Sequence, residues 1–203
     1  MVLSLQRQVE LVEIDEFANL SRRDSPTLLF ELMGFGQPPE SLDDRRATFL
    51  QGAFAPSLGR LAEAAARPVS EWAASTEVAA ARHDTTILAG ELRAGTVGAQ
   101  RNTIVGRSGG TDVVRLRTNW YCTLDVEPPW ALRPTGWRVQ VHGDAPLDVA
   151  LPFPVALEEL DTFTPAYTAN RPVNAIPYVC AAAPGILATD DLPPITPAGP
   201  RST

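Results

Sequence analysis

At 203 residues the chain is long enough to bury a real core, and 44% hydrophobic with 20% charged residues is ordinary globular composition, which excludes wholesale disorder. A formal net charge of −7 with no basic face excludes nucleic acid as a partner, and no apolar run approaches the roughly 18–20 residues of a membrane span. The opening VLSLQRQVELVEID has neither the basic nor the apolar region of a signal peptide, and Cys122 and Cys180, both among apolar residues, are too few for a disulfide framework, so the chain reads as a reduced, cytoplasmic protein.

VLSLQRQ reads as the last turns of a helix that lacks a capping residue and a first turn. VELVEIDEFA (residues 9–18) alternates as a strand. DSPTLLFELMG predicts a helix, with Ser25 as N-cap, Pro26 at the first helical position and Gly34 closing it. GFGQPPESLDD follows as a loop. RRATFLQGAFAPSLGRLAEAAAR gives one or two helices, re-initiated at Pro56. Leu50, Phe54, Leu58 and Leu61 mark its buried stripe, and Glu63 and Arg67 are spaced for a surface pair.

From Ser75 the period becomes that of strands: TEVAAAR, TTILAGEL, TVGAQRNTIVGR, TDVVRLRTNWYCTLDV, GWRVQVHGD and PLDVALPF. GRSGGTD is a hairpin loop between the two longest. In VVRLRTNWYC, Arg115, Arg117 and Asn119 share one face, and Val114, Leu116 and Trp120 the other. One face therefore packs on helices, and the other meets solvent, a ligand or a partner subunit. A short helix over residues 155–160, a loop and VNAIPYVCAAAPGILATDDLPPIT complete the chain. There Asn170 can cap a helix from Arg171, Pro177 should kink it, Pro184-Gly185 should end it, and ILATDDLP should run back extended. TPAGPRST reads as a frayed tail. Helices first and an antiparallel-rich sheet after indicate an α+β domain.

Self-contained chemistry is missing from this pattern. No glycine-rich turn stands between a strand and a helix, no phosphate-binding loop is present and no serine sits in a nucleophile elbow. GFG (residues 34–36) ends a helix rather than starting one. His83 and His142 have no second ligand at metal spacing. The carboxylate groups Glu10/Glu13/Asp15/Glu16, Glu158/Glu159/Asp161 and Asp190/Asp191 read as solvated faces. On the residues alone the chain is an α+β domain without its own active site.

VNAIPYVCAAAPGILATDDLP nevertheless resembles the C-terminal signature of the 2,4-diaminopentanoate dehydrogenases. These are dihydrodipicolinate-reductase-like oxidoreductases, a group that includes the native amine dehydrogenases. Carrying the likeness are Val173-Asn174-Ala175-Ile176-Pro177, Ala183-Pro184-Gly185 and residues 189–193. EFANLSRRDSPTLLFELMGFG, AGTVGAQR and NWYCTLDVEPPWALRPTGWRV look like the same family, so the resemblance covers nearly the whole chain from Val9.

The resemblance implies an N-terminal Rossmann domain holding NAD(P) and a C-terminal α+β domain that roofs the substrate and dimerises through the outer face of its sheet. It assigns residues 1–8 to the end of an inter-domain helix, 9–196 to the substrate-binding and dimerisation domain, and 197–203 to a flexible tail. The Rossmann domain would lie outside this sequence, and the chain alone should not be a dehydrogenase. Asn174, Asp190 and Asp191 would approach the cofactor at the domain junction. The substrate side would comprise Asn19, Arg22, Arg23, Asp24, Leu28, Phe30, Trp120 and Tyr121. At EFANLSRRDSPT, Asp24 and Pro26 match the dihydrodipicolinate reductases, but their histidine pair and lysine are absent. The histidine that diaminopentanoate enzymes carry before VNAIP is also absent. An apolar ketone or simple amine is thus the expected substrate. Two other readings remain open: a free-standing non-catalytic module that binds a small molecule or pairs with another subunit, and a hydrolase using His83 or His142.

Overall fold

A computed structural model describes residues 2–197, and the chain divides into two compact units, one ending at Pro154 and one beginning at Val155. The expected tail lies outside the described residues apart from Pro197.

The first unit opens with a 3-10 turn, Val2–Leu5, where the sequence suggested the end of a longer helix. Its strands are β1 (Val9–Asn19), β2 (Glu71–Ala81), β3 (Thr85–Ile87), β4 (Gly90–Leu92), β5 (Val97–Ser108), β6 (Thr111–Tyr121), β7 (Val126–Glu127), β8 (Gly136–Gly143) and β9 (Leu147–Pro152). Seven of them form one mixed, mostly antiparallel sheet in the order β7-β2-β5-β6-β1-β8-β9, and β3 and β4 pair separately. Only β1 and β6 run parallel, so their carboxyl ends stop side by side, with Asn19 opposite Tyr121. TTILAGEL is therefore not one strand but a small hairpin, β3–β4. The predicted hairpin between β5 and β6 forms: Gly109 and Gly110 take φ of 57° and 79°, the double left-handed conformation of a type I′ turn.

The expected helix after Ser25 is shorter and looser, a π-type turn over Thr27–Leu32. Pro26 stands at its boundary, and the Ser25 hydroxyl accepts the Leu28 amide at 3.3 Å. Gly34, at φ 75°, ends it as expected. Helix α1 (Arg45–Ala64) is continuous through Pro56 rather than re-initiated there. Pro56 orphans the carbonyl of Gly52, but both residues are exposed and water can satisfy that oxygen. The buried face of α1 is Ala47, Leu58 and Ala62, with Leu50 and Leu61 at its margins. Phe54, counted in the buried stripe from sequence, is 37% exposed although it stands one turn before Leu58 on the same side of the helix. Arg67 falls beyond the helix, and Glu63 pairs with Arg60 instead, at 3.5 Å.

Alternation sorts the sheet into two faces. Ile14, Ile104, Val114 and Leu116 meet α1, and Leu29, Phe35, Leu92 and Val97 form a second cluster around the β3–β4 hairpin. A polar row crosses this covered face: Thr76 Oγ1 lies 3.0 Å from Asn102 Oδ1, and Asn102 Nδ2 donates to Thr118 Oγ1 at 3.2 Å. Among the described residues, no buried side-chain polar atom lacks a hydrogen-bond partner.

In the second unit the short helix, loop and later helix expected from sequence are one element. After a 3-10 turn, Leu157–Glu159, helix α2 runs Leu160–Ala181, with Pro165, Pro172 and Pro177 inside it. Asn170 thus sits within a helix rather than capping one. Ala182 turns extended at the end of the helix, two residues before Pro184. Thr189–Asp191 forms a 3-10 turn inside the segment expected to be extended. No described helix is long and apolar enough to cross a membrane.

Candidate functional site

The carboxyl ends of β1 and β6 bring together most of the residues singled out from sequence. The Leu20 amide donates to the Tyr121 carbonyl at 2.8 Å, and the Leu88 amide to the Ser21 carbonyl at 2.9 Å, so the junction loop is tied to both the sheet and the β3–β4 hairpin. Asn19 shapes the loop from within: its Oδ1 accepts the Ser21 amide at 3.0 Å and the Ser21 hydroxyl at 2.7 Å. Arg22 is half-buried, Arg23 and Asp24 are exposed, and Leu28 is 39% exposed on the following turn. These residues can present charge and apolar surface to a ligand.

Phe30 and Tyr121 do something different. Phe30 packs onto Gly36 and Gly90, where an added Cβ would lie 3.4 Å from its ring. Tyr121 is 1% exposed and donates its hydroxyl to the Arg133 carbonyl at 2.5 Å. It does not face an open cleft, because it points to the opposite side of the sheet from its neighbour Trp120. Trp120 is half-buried against the Leu29 cluster, on the covered face.

Beside Trp120 stands Glu16, which had been grouped with the solvated carboxylates. The Trp120 indole N–H donates to its Oε2 at 3.3 Å. Burial pushes this carboxyl above its usual range, and the indole hydrogen bond offsets that only in part. A signal for it was present in the alternation. Glu13 and Asp15 fall on one face of β1, whereas Glu16 shares the face of Val12 and Ile14, where an acid is out of place.

The opposite face of the sheet is charged and largely self-neutralised. Arg117 Nε and NH2 donate to Asp15 at 2.6 and 3.0 Å. Arg115 pairs with Glu13 and, at 2.7 Å, with Asp112, while His142 lies 3.0 Å from Glu13. Glu13 and Asp15 are buried, which corrects the solvated reading of that cluster. Burial pushes Glu13 up, but the His142 hydrogen bond and the charges of Arg115 and Arg117 outweigh it and hold the carboxyl below its usual range. Burial pulls the Arg101 guanidinium down. Its Nε donates to Asn119 Oδ1 at 2.8 Å, and the group lies 4.5 Å from the centre of the Trp130 ring. His83 is exposed and sits 3.3 Å from Asp125. Among the described residues no cluster of three or more His, Cys, Asp or Glu could hold a metal ion. Cys122 is buried, its thiol pushed up to about 12, and is chemically inert; Cys180, expected to be buried, is exposed on α2.

In the second unit Asn174 is half-buried on α2, and Asp190 and Asp191 lie exposed on the turn after it. Asp191 Oδ2 accepts the Ala188 amide at 2.7 Å, which closes that turn.

No protein-family model matches the sequence. No curated protein matches it either. Among solved structures, the amine dehydrogenase from Mycobacterium smegmatis is similar, with a TM-score of 0.62 and 16% identity over 96% of this chain. The chain spans 54% of that enzyme's length. At such identity the likeness is one of fold: this chain has the α+β architecture of part of an amine dehydrogenase.

Proposed function

We propose that the chain is the substrate-binding and dimerisation domain of an NAD(P)-dependent, amine dehydrogenase-like oxidoreductase that interconverts a ketone and an amine at a C–N bond, and that alone it has no dehydrogenase activity. The observation that supports this reading most is the overlay of nearly the whole chain on about half of an amine dehydrogenase. The signature around Asn174 and Pro184-Gly185 points the same way.

The described residues do not fit a complete dinucleotide site. No glycine-rich turn joins a strand to a helix, and the parallel β1 is followed by the side-chain-rich loop of residues 19–24. The nicotinamide is therefore assigned to a Rossmann domain, on a longer chain or a separate partner. Asn174, Asp190 and Asp191 would meet the cofactor from this side, where carboxylates suit ribose hydroxyls and repel phosphates.

The substrate would lie at the ends of β1 and β6. Leu28 and Trp120 would supply apolar surface, Asn19, Arg22, Arg23 and Asp24 the polar rim, and Phe30 and Tyr121 the support behind it. The charged face of the sheet would form a homodimer of a cytoplasmic enzyme.

The test is to incubate the purified chain with NADH or NADPH, a small apolar ketone and ammonia. The expected result is no nicotinamide oxidation, dimeric sedimentation, and a thermal shift with apolar ketones or amines that Trp120→Ala reduces. Turnover by the chain alone overturns the assignment of the cofactor elsewhere. A folded protein that responds to no ketone or amine favours the non-catalytic module instead.

A further inference from the structure

A cavity of about 320 Å³ in the first unit lies apart from the residues assigned to substrate. Phe17, Pro134, Ala150 and Pro152 line it, together with two arginines, Arg133 and Arg138. That volume is at the small end of ligand pockets, which suits a compact molecule.

The arginines around it are not equally engaged. On this face of the sheet Asp15 is held by Arg117, Glu13 by Arg115, and Asp148 by Arg138 in a two-point pair. Asp112 is shared between Arg115 and Arg107, so each of these carboxylates is engaged by at least one guanidinium. Arg133 is left over: among the described residues no carboxylate comes within ion-pairing distance of it, although its charge helps Arg138 hold Asp148 below the usual carboxylate range. Arg133 is exposed beside the apolar walls of the cavity, so its guanidinium is open to an anion from solvent.

The segment bearing Arg133 is also fixed in place. The buried Tyr121 donates to the Arg133 carbonyl, the Thr135 hydroxyl accepts the Asn19 amide at 3.1 Å, and the Phe153 amide donates to the Thr135 carbonyl at 3.0 Å. A tethered backbone lowers the entropic cost of presenting a guanidinium to a ligand.

We propose that this cavity binds a small carboxylate with an apolar body, aromatic or branched, its carboxylate taken by Arg133 and its body lying against Phe17 and the two prolines. A planar guanidinium matches a carboxylate through two parallel hydrogen bonds, and the proline and phenylalanine surfaces favour a flat or branched hydrocarbon. This assignment does not depend on the redox reading above, but it requires the cavity, which lies on the charged face, to stay open in the homodimer proposed there.

Benzoate titrated into the full chain, followed by amide chemical shifts, tests it. We expect saturable shifts clustered on Phe17, Gly136 and Ala150. Binding should weaken about tenfold or more in Arg133→Gln and recover only in part in Arg133→Lys, which restores the charge but not the second parallel hydrogen bond. Benzamide, which has the shape without the charge, and acetate, which has the charge without the body, should both bind more weakly. Ala150→Leu, an exposed position on the edge strand, should fill the cavity and abolish binding while leaving the spectrum folded. Equal binding of benzoate by wild type and Arg133→Gln overturns the proposal, as does equal binding of benzamide or acetate. It is overturned too if Arg133→Gln leaves benzoate unaffected and weakens self-association, since the cavity would then receive a side chain from a second copy.

Discussion

Glu16 is the residue whose environment departs furthest from what its neighbours suggest. It lies half-buried on the apolar face of β1, bonded to the Trp120 indole, and burial raises its pKa. A carboxyl with a raised folded pKa holds its proton more tightly in the native state than in the unfolded chain. Its ionisation therefore subtracts stability as pH rises from the unfolded value of 4.5 through the folded one, and the whole penalty is present above that. Glu16→Gln should keep the indole contact and remove the penalty, raising Tm by about 2 °C or more at pH 7.5. The gain should vanish below about pH 4, where both forms are neutral. Thermal melts of the two proteins across that range check it, and a constant difference at every pH would mean that packing, not ionisation, separates them. Strand alternation carried the signal of the misplaced acid, since Glu16 breaks the pattern that Val12 and Ile14 set, but grouping it with its acidic neighbours as a solvated face passed over it. What no sequence pattern supplies is the partner. The pairs Asp15–Arg117 and Glu13–Arg115 join residues 102 positions apart, and they exist because β1 and β6 lie parallel in one particular register.

Elements were legible where side-chain period and turn glycines agree. The long strands β5 and β6, their Gly109-Gly110 turn and the division of β6 into a charged and an apolar face all follow from a two-residue repeat. Helices were less legible because proline was read as a boundary. It breaks a helix only where the carbonyl it orphans cannot find water. In α1 that carbonyl belongs to Gly52, which is exposed and whose Cβ position has nothing within 4 Å. The helix consequently tolerates Pro56 but loses one hydrogen bond to it. Pro56→Ala restores that bond and a strong helix former without touching the buried face of Ala47, Leu58 and Ala62. It should stabilise the protein by about 1–3 kcal/mol, visible as a higher urea midpoint at unchanged slope. Destabilisation would show that the helix needs the bend proline gives it. The same misreading made three pieces of α2, which runs unbroken past Pro165, Pro172 and Pro177.

At the scale of the whole chain, the two units differ in how they are held together. The first, through Pro154, contains all three buried hydrophobic clusters, the complete seven-stranded sheet and the ion-pair ladder of its charged face. Every strand has its neighbours within the unit, and the polar row under α1 finds its partners there too. Among its described residues the second unit offers one α-helix of 22 residues with three internal prolines, two buried side chains, Leu160 and Ala175, and large apolar groups such as Phe163, Val173 and Ile176 exposed. Each internal proline costs a helix about 3 kcal/mol relative to alanine, and the three divide this one into stretches well below the roughly 12–15 residues under which isolated helices are marginal. Residues 1–154 made alone should therefore unfold cooperatively, with the far-ultraviolet signal of a β-rich protein. Residues 155–203 made alone should show little helix in water. Circular dichroism of the two fragments decides the matter. A helical second fragment would mean that α2 is held by its own sequence, whereas loss of cooperative melting in the first would mean that its sheet depends on residues beyond Pro154. The expected asymmetry follows from where hydrogen-bond partners and buried apolar area reside, and it makes the first unit the rigid frame on which the ends of β1 and β6 are presented.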